Sequence, residues 1–401
     1  MLPTPHLRHV LTTALIATLV PTFVRAADAP ASTTRPQAEA RESSALPVDG
    51  FADCIHHWQN ANNARDYPRY RTTQVVEIAE NILRYQRDNG GWRENEDPLR
   101  ILDEAEIAQL ATDRARLDTS LDNRNVWPQV EYLAGAYGLT GDVRYRDAAL
   151  RGLEFIFAAQ HPSGGFPHSY PSQEGYRPHI TFADDVLPDI LRTLRKIAAG
   201  VEPFAFIDAD TRARAAASVA RGDGCIVRLQ VVQDGVRTIW AGQYDHRTLE
   251  PAGARSFELP ALVSRESVAV VRYLMSLEEP SPEIIAAIEA AVAWYERAQI
   301  HGWRVITVDA EPVRYNWHTS TTDRQMIEDP AAPALWARFY DLTTNEPFLA
   351  NRDGRRVSTL AEVARERRTG YDWYGTWAGP LLEREYPAWK RRFHKRDDTQ
   401  S

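Results

Sequence analysis

The chain has 401 residues, 43% of them hydrophobic and 10% aromatic, with 47 basic and 55 acidic side chains and a net charge of −8. That is enough apolar material for one large core or two smaller ones. The acidic balance argues against non-specific nucleic-acid binding and means that any anion site must be a local arginine cluster. With two cysteines, Cys54 and Cys225, no metal–thiolate site can be built; in an oxidising compartment they could form one disulfide, and two separate thiols are the favoured reading.

The N-terminus reads as a signal peptide over residues 1–26. Arg8 and His9 precede the apolar run Val10 to Val20, and Val24-Arg25-Ala26 offers small residues for cleavage. The run is too short to span a bilayer stably, and no later run is long enough. The mature chain would keep 45 basic residues against 55 acidic ones. A secreted or periplasmic protein follows, with no membrane association after cleavage. Residues 27–48, rich in Ala, Pro, Ser, Thr and Glu, form a flexible leader. One catalytic domain is expected over 49–395, with a tail at 396–401.

From about residue 65 the apolar spacing is helical. Val75, Val76, Ala79, Ile82, Leu83 and Tyr85 form one stripe, and Val268, Val271, Leu274 and Met275 another. Four helices are expected to end in Gln followed by Gly and an aromatic: Gln86 (QRDNGGW), Gln160 (QHPSGGF), Gln230 (QVVQDGVRTIW) and Gln299 (QIHGW). The successive intervals are 74, 70 and 69 residues. Each interval accommodates a helical hairpin, and a repeat of such hairpins predicts an all-α chain, an α/α barrel with long functional loops. The loops are expected at 90–123, 161–184, 235–265 and 301–330.

Four loop clusters could carry chemistry. Asp122-Asn123 precedes a helix and reads either as a cap or as a site. Asp184-Asp185 in ITFADD reads as a cap or a cation site. Arg255 lies in ARSFE, near Glu258 and Glu266. Arg338, read as lying on an apolar helix in LWARFYDL, is joined by Arg352 in NRDGR; an arginine in such surroundings needs a partner or a ligand. Acids able to hold Ca²⁺, together with several guanidinium forks, suit a polyuronate, whose every sugar carries a carboxylate.

In order, GGWREN, SLDN, GGFPHSYP, ITFADD, ARSFELPALVSRES, SPEIIAAIEAAVAWYE, ALWARFYDL and NRDG resemble the sequential motifs of family 10 pectate lyases, from about Gln74 to about Trp373. The resemblance implies an α/α barrel, Ca²⁺ dependence and anti β-elimination on polygalacturonate by a monomer. It also implies Asp122 and Asp184 as metal ligands, Asn123, Arg255 and Arg338 as substrate-binding residues, and Arg352 as the base. The chain departs from the family where Glu94 replaces a usual Lys, where Arg124-Asn125-Val126 replace small residues, and where Ala183 replaces a usual Asn. Two other readings stand beside this one: an α/α-barrel glycoside hydrolase using two carboxylates such as Glu258 and Asp184, and a non-catalytic polyuronate-binding protein.

Overall fold

The computed structural model describes residues 45–316 and 318–400, with side chains up to residue 393. The expected signal peptide, and the leader up to residue 44, lie outside the described residues. Leu46 and Val48, at the end of that leader, already pack against the core.

The helical stripes read from the sequence become buried faces. Helix α1 spans Ala52–Asn62 and α2 spans Val75–Tyr85. On α2, Val75, Ile78, Ala79, Ile82 and Tyr85 are buried, at the spacing of one helix face. Helix α3, Glu104–Thr112, lies within the expected 90–123 loop and is started by an Asp103–Glu106 capping box. Three hairpins follow. Helices α4 (Trp127–Thr140) and α5 (Val143–Ala159) are joined by Gly141 and Asp142. Helix α6 (Val186–Ala199) pairs with α7 (Ala209–Leu229), and α8 (Ser264–Met275) with α9 (Pro282–Arg297). Along the row, α2 lies against α4, α4 against α6 and α6 against α8. Two further helices close the order, α10 at Arg365–Gly370 and α11 at Tyr386–Gln400. Among the described residues no helix is long and apolar enough to cross a membrane. Cys54 and Cys225 are buried, separate thiols.

The Gln–Gly–aromatic repeat has a structural cause. Gln86 Nε2 donates to the carbonyls of Gly90 and Ala148, both at 2.9 Å. Gln160 Nε2 donates to Gly164 (3.0 Å) and Ser218 (2.9 Å), and Gln230 Nε2 to Thr238 (2.8 Å) and Ala287 (2.9 Å). Each glutamine thus ties its own loop to the second helix of the next hairpin, its amide N–H groups bridging a loop carbonyl and a helix carbonyl. The glycines follow from the same packing. Gly90 (φ +91°) and Gly164 (φ +97°) press on the carbonyls of Arg151 and Arg221, where an added Cβ would come within 2.3 and 2.1 Å.

The fourth repeat differs from the expectation. Ile300 N–H donates to Leu335 O as Arg87 does to Gly91, His161 to Gly165 and Val231 to Ile239. The aromatic that follows is therefore Trp336, not Trp303. Trp336 Nε1 donates to Tyr295 O (3.0 Å), much as Trp92 donates to Ile82 O (2.8 Å) and Trp240 to Ile226 O (2.7 Å). Between Ile300 and Leu335 the chain inserts an antiparallel ribbon, Trp303–Arg314 with Thr319–Glu328, where a loop was expected over 301–330. Its strands are rich in Val, Ile and Thr, which suit a pleated surface.

The β-content beyond the ribbon is short. One four-stranded sheet aligns Arg356–Val357, Pro347–Ala350, Phe339–Tyr340 and Leu262–Val263 in that order. It roofs a second, smaller core built on Phe257, Phe339, Phe348, Tyr371 and Trp373, separate from the main helical core.

Candidate active site

The repeat register places the site. The residue two positions after each loop aromatic is Glu94, His168, Gly242 or Arg338. The aromatics Trp92, Phe166, Trp240 and Trp336 are all buried, so they fix these positions at equivalent ends of the hairpins. Carboxylates hang from the helical core and arginines from the smaller one, so the site lies along the seam.

On the acidic side, ligand atoms of Glu94, Asp122 and His168 lie within 4.8 Å of one another. His168 Nε2 donates to Asp122 Oδ2 at 2.9 Å, and Asn123 Nδ2 donates to Asn95 Oδ1 at 2.8 Å. Glu94 Oε2 is buried with no hydrogen-bond partner among the described residues. Neither acidic turn acts as a helix cap: Val126 occupies the α4 N-cap and Asp185 that of α6, and neither makes a side-chain capping bond. The turns are strained instead. Of ten non-glycine residues with positive φ among the described residues, six are Asn95, Asn123, Arg124, Val126, Asp184 and Asp185. For the β-branched Val126 this is a costly conformation, and such strain tends to gather where side chains must be aimed at a ligand.

The electrostatics divide the acids. Burial raises the Asp122 carboxyl, and Asp184 nearby adds to this, against the pull of His168. Burial would lower His168, but the Asp122 carboxylate and its hydrogen bond push it up to about 9. Asp184 is also buried, yet Arg338, Arg255 and Arg265 outweigh burial and hold it below the usual carboxylate range.

On the basic side, two rings organise the arginines. Phe257 and Tyr371 meet edge to face at 5.1 Å. Arg338 lies 4.1 Å over the Tyr371 ring, Arg255 5.1 Å over Phe257, and Arg352 5.3 Å over Phe257. Each guanidinium also has a carboxylate. Arg338 pairs with Glu266, both only 4% exposed. Arg255 is bidentate to Glu258 (2.7 and 2.5 Å), which also accepts from the Tyr371 hydroxyl at 2.9 Å. Arg352 is bidentate to Glu366 at 3.0 and 2.9 Å, and Glu366 also takes Arg367.

Asp122, Asn123 and Asp184 are thus brought together, with Arg255 and Arg338 close enough to govern Asp184. Arg352 stands one ring further out, against Phe257. The setting of Arg338 corrects the helical expectation. It lies between the short strands Trp336–Ala337 and Phe339–Tyr340, all of whose residues are buried, and Arg338 N–H donates to Trp373 O at 2.8 Å. The sequence reading missed His168, Arg265, Tyr371 and the whole of α1 as site components. From α1, Cys54 Sγ–H donates to Asn123 O at 3.2 Å, and Asp53 lines a cavity of about 400 Å³ with Arg124, Asp184, Asp185, Arg265 and Glu266. His168 could have been found from the repeat register; α1 could not, because nothing local marks its docking.

Two solved structures of a family 10 polysaccharide lyase from Cellvibrio cellulosa are similar to this chain. One has 28% identity and a TM-score of 0.64, covering 85% of this chain and 97% of that one. The other is a mutant in complex with trigalacturonic acid, with 27% identity and a TM-score of 0.64, covering 84% and 98%. No curated protein matches the chain. Helical hairpins that carry an acid–arginine seam at their loop ends here make a polysaccharide lyase. The model of the pectic acid lyase family matches residues 86–382, and the chain belongs to that family.

Proposed function

We propose that the protein cleaves polygalacturonate by Ca²⁺-dependent anti β-elimination, with Arg352 as the base, on a helical row that closes as an α/α barrel. The observation that supports this most is the gathering of Glu94, Asp122 and Asp184 opposite Arg255 and Arg338, at the loop ends of the hairpins. The complex of a similar lyase with trigalacturonic acid supports the substrate class.

A Ca²⁺ ion suits the donor set. Asp122 and Asp184 offer hard oxygens, and the unpartnered buried Oε2 of Glu94 adds a third carboxylate beyond the pair expected from sequence. When bound, Ca²⁺ supplies positive charge that neutralises a uronate carboxylate and so acidifies the adjoining C5 proton.

The chain's own groups do the rest. Arg338 and Arg255 receive substrate carboxylates by bidentate hydrogen bonding and stabilise the charge that develops as the C5 proton leaves. Asn123, held by Asn95, presents a polar edge beside them. In its neutral form Arg352 takes the C5 proton, the electron pair of that C–H bond forms the C4–C5 double bond, the C4–O bond breaks, and the departing oxygen takes a proton from water. For that step the Arg352–Glu366 pair must open, because both Glu366 oxygens hold its guanidinium in the resting state. Glu258 is engaged by Arg255 and Tyr371, which makes it an anchor and not a hydrolytic acid. Export through the signal peptide and action as a monomer complete the proposal.

Ultraviolet absorbance tests it. Incubation with polygalacturonate should yield conjugated, unsaturated oligouronides, and chelation of Ca²⁺ should stop this while helical content stays. Saturated reducing ends alone would refute the reaction, and undiminished activity after chelation would refute the metal.

A further inference from the structure

Outside the candidate site, a second cluster joins two distant loops. His179, Asp245 and His246 have ligand atoms within 4.8 Å of one another. Among the described residues the Nδ1 atoms of His179 and His246 are buried with no hydrogen-bond partner, an expensive state for two polar nitrogens unless something occupies them. His161 completes the group. Its ring stacks on His246 at 5.1 Å and 25°, and its Nε2 bonds the carbonyl of Pro178, the residue before His179, at 2.8 Å.

A comparison within the chain sharpens the point. The segments YDHRTLEP, from Tyr244, and YDLTTNEP, from Tyr340, build the same turn. In the first, Asp245 Oδ1 accepts from Arg247 N–H (2.8 Å) and Thr248 N–H (2.9 Å); in the second, Asp341 Oδ1 accepts from Thr343 N–H (2.8 Å) and Thr344 N–H (3.0 Å). Leu249 and Asn345 take the same positive φ, and Tyr244 and Tyr340 each donate to the carbonyl closing the preceding helix. The second oxygen differs. Asp341 Oδ2 holds a cation, Arg356 Nη1, at 2.5 Å. Among the described residues Asp245 has no such arginine. In its turn His246 replaces Leu342, and His179 comes in from the neighbouring strand.

We propose that His179, Asp245 and His246 form a site for a borderline divalent transition-metal ion such as Zn²⁺, with water or a shifted His161 as the fourth ligand. Two imidazoles and one carboxylate are a zinc-type donor set. Ca²⁺, which prefers six to eight oxygens, is poorly served here, and this separates the cluster from the acidic seam.

The ion would act as a staple. His179 leads directly into Ile180–Thr181, which pairs with Gln243–Tyr244, and the backbone continues through Phe182 and Ala183, both bonded to Gly242 O, into Asp184. Metal between His179 and Asp245-His246 would pin the outer end of this ladder, whose inner end carries a proposed Ca²⁺ ligand. The site is argued from its own geometry and does not depend on the lyase mechanism.

Titration of the metal-free mature protein with Co²⁺ and Zn²⁺ tests the proposal. One equivalent of Co²⁺ should give the visible absorption of a tetrahedral nitrogen–oxygen site, and Zn²⁺ should displace it and raise the melting temperature. His246→Leu, which copies the sister turn, and His179→Gln should each remove the absorption and weaken Zn²⁺ binding at least tenfold. Asp122→Ala should leave both signals intact. The proposal is overturned if the two histidine variants bind like the parent, if Asp122→Ala abolishes the signal, or if the parent binds no stoichiometric metal.

Discussion

Arg338 offers two roles that a single substitution would confuse, and the structure shows how to separate them. Its guanidinium is 4% exposed and paired with an equally buried Glu266, whose Oε2 already lacks a partner. Arg338→Ala leaves that carboxylate buried and uncompensated, at a cost of about 3–5 kcal/mol of folding stability. Loss of activity in this variant would therefore say little about substrate. The paired variant Arg338→Met with Glu266→Gln removes both charges and keeps the volume, and such replacements are often neutral or stabilising. Urea unfolding should place the paired variant near the parent and Arg338→Ala well below it. If Arg338 receives a substrate carboxylate, the paired variant should still lose about 1.5–3 kcal/mol of transition-state binding, the worth of a charged hydrogen bond. That is roughly a 10- to 150-fold fall in kcat/KM on polygalacturonate. Recovery of both stability and kcat/KM in the paired variant would refute the substrate role and leave Arg338 as a structural ion pair.

Three further outcomes are expected. Arg352→Ala should lose most of kcat with a smaller change in KM, whereas Arg352→Lys should regain some activity with a pH–rate profile shifted towards lower pH; a change confined to KM would make Arg352 a binding residue. Glu94→Gln should raise the Ca²⁺ concentration for half-maximal rate about tenfold, the effect of roughly 1.4 kcal/mol at a lost carboxylate ligand, and an unchanged Ca²⁺ curve would place Glu94 outside the metal site. Glu366 is pushed towards a higher pKa by burial but held down to about 2 by Arg367 and Arg352. A depressed carboxylate stabilises the fold above its unfolded pKa, about 4.3, and loses that contribution as pH falls towards 2. The parent should therefore exceed Glu366→Gln in urea stability at pH 6, with the gap closing between about pH 4 and pH 2; a gap independent of pH would point to packing.

Much of the architecture was legible because it is local. Stripes such as that of α2 repeat within a few residues, and the Gln–Gly–aromatic spacing marked the hairpin ends before any contact was known. Ordered motifs also carried the family resemblance and named Asp122, Asn123, Asp184, Arg255 and Arg338, which the structure gathers along one seam. Where local signals compete, the reading failed. LWARFYDL is apolar enough for a helix, but distant segments pair with it as short strands and bury all of its aromatics. The fourth repeat was misread at Trp303 because a ribbon separates Gln299 from its true aromatic, Trp336.

The sequence by itself determined the hairpin helices, three of the four repeat ends and most of the residues at the loop ends, because each is encoded by neighbours within a turn or two of helix. Only the tertiary structure decided which of those residues meet. Arg338 finds Glu266 across 72 positions of chain, and Gln233 reaches Asp341 across 108. His168 reaches Asp122, and α1 docks on Asn123 from 69 residues away. Such partners are selected by how hairpins stack and which buried charges must be neutralised, a competition settled by the whole fold and invisible in any short stretch of sequence.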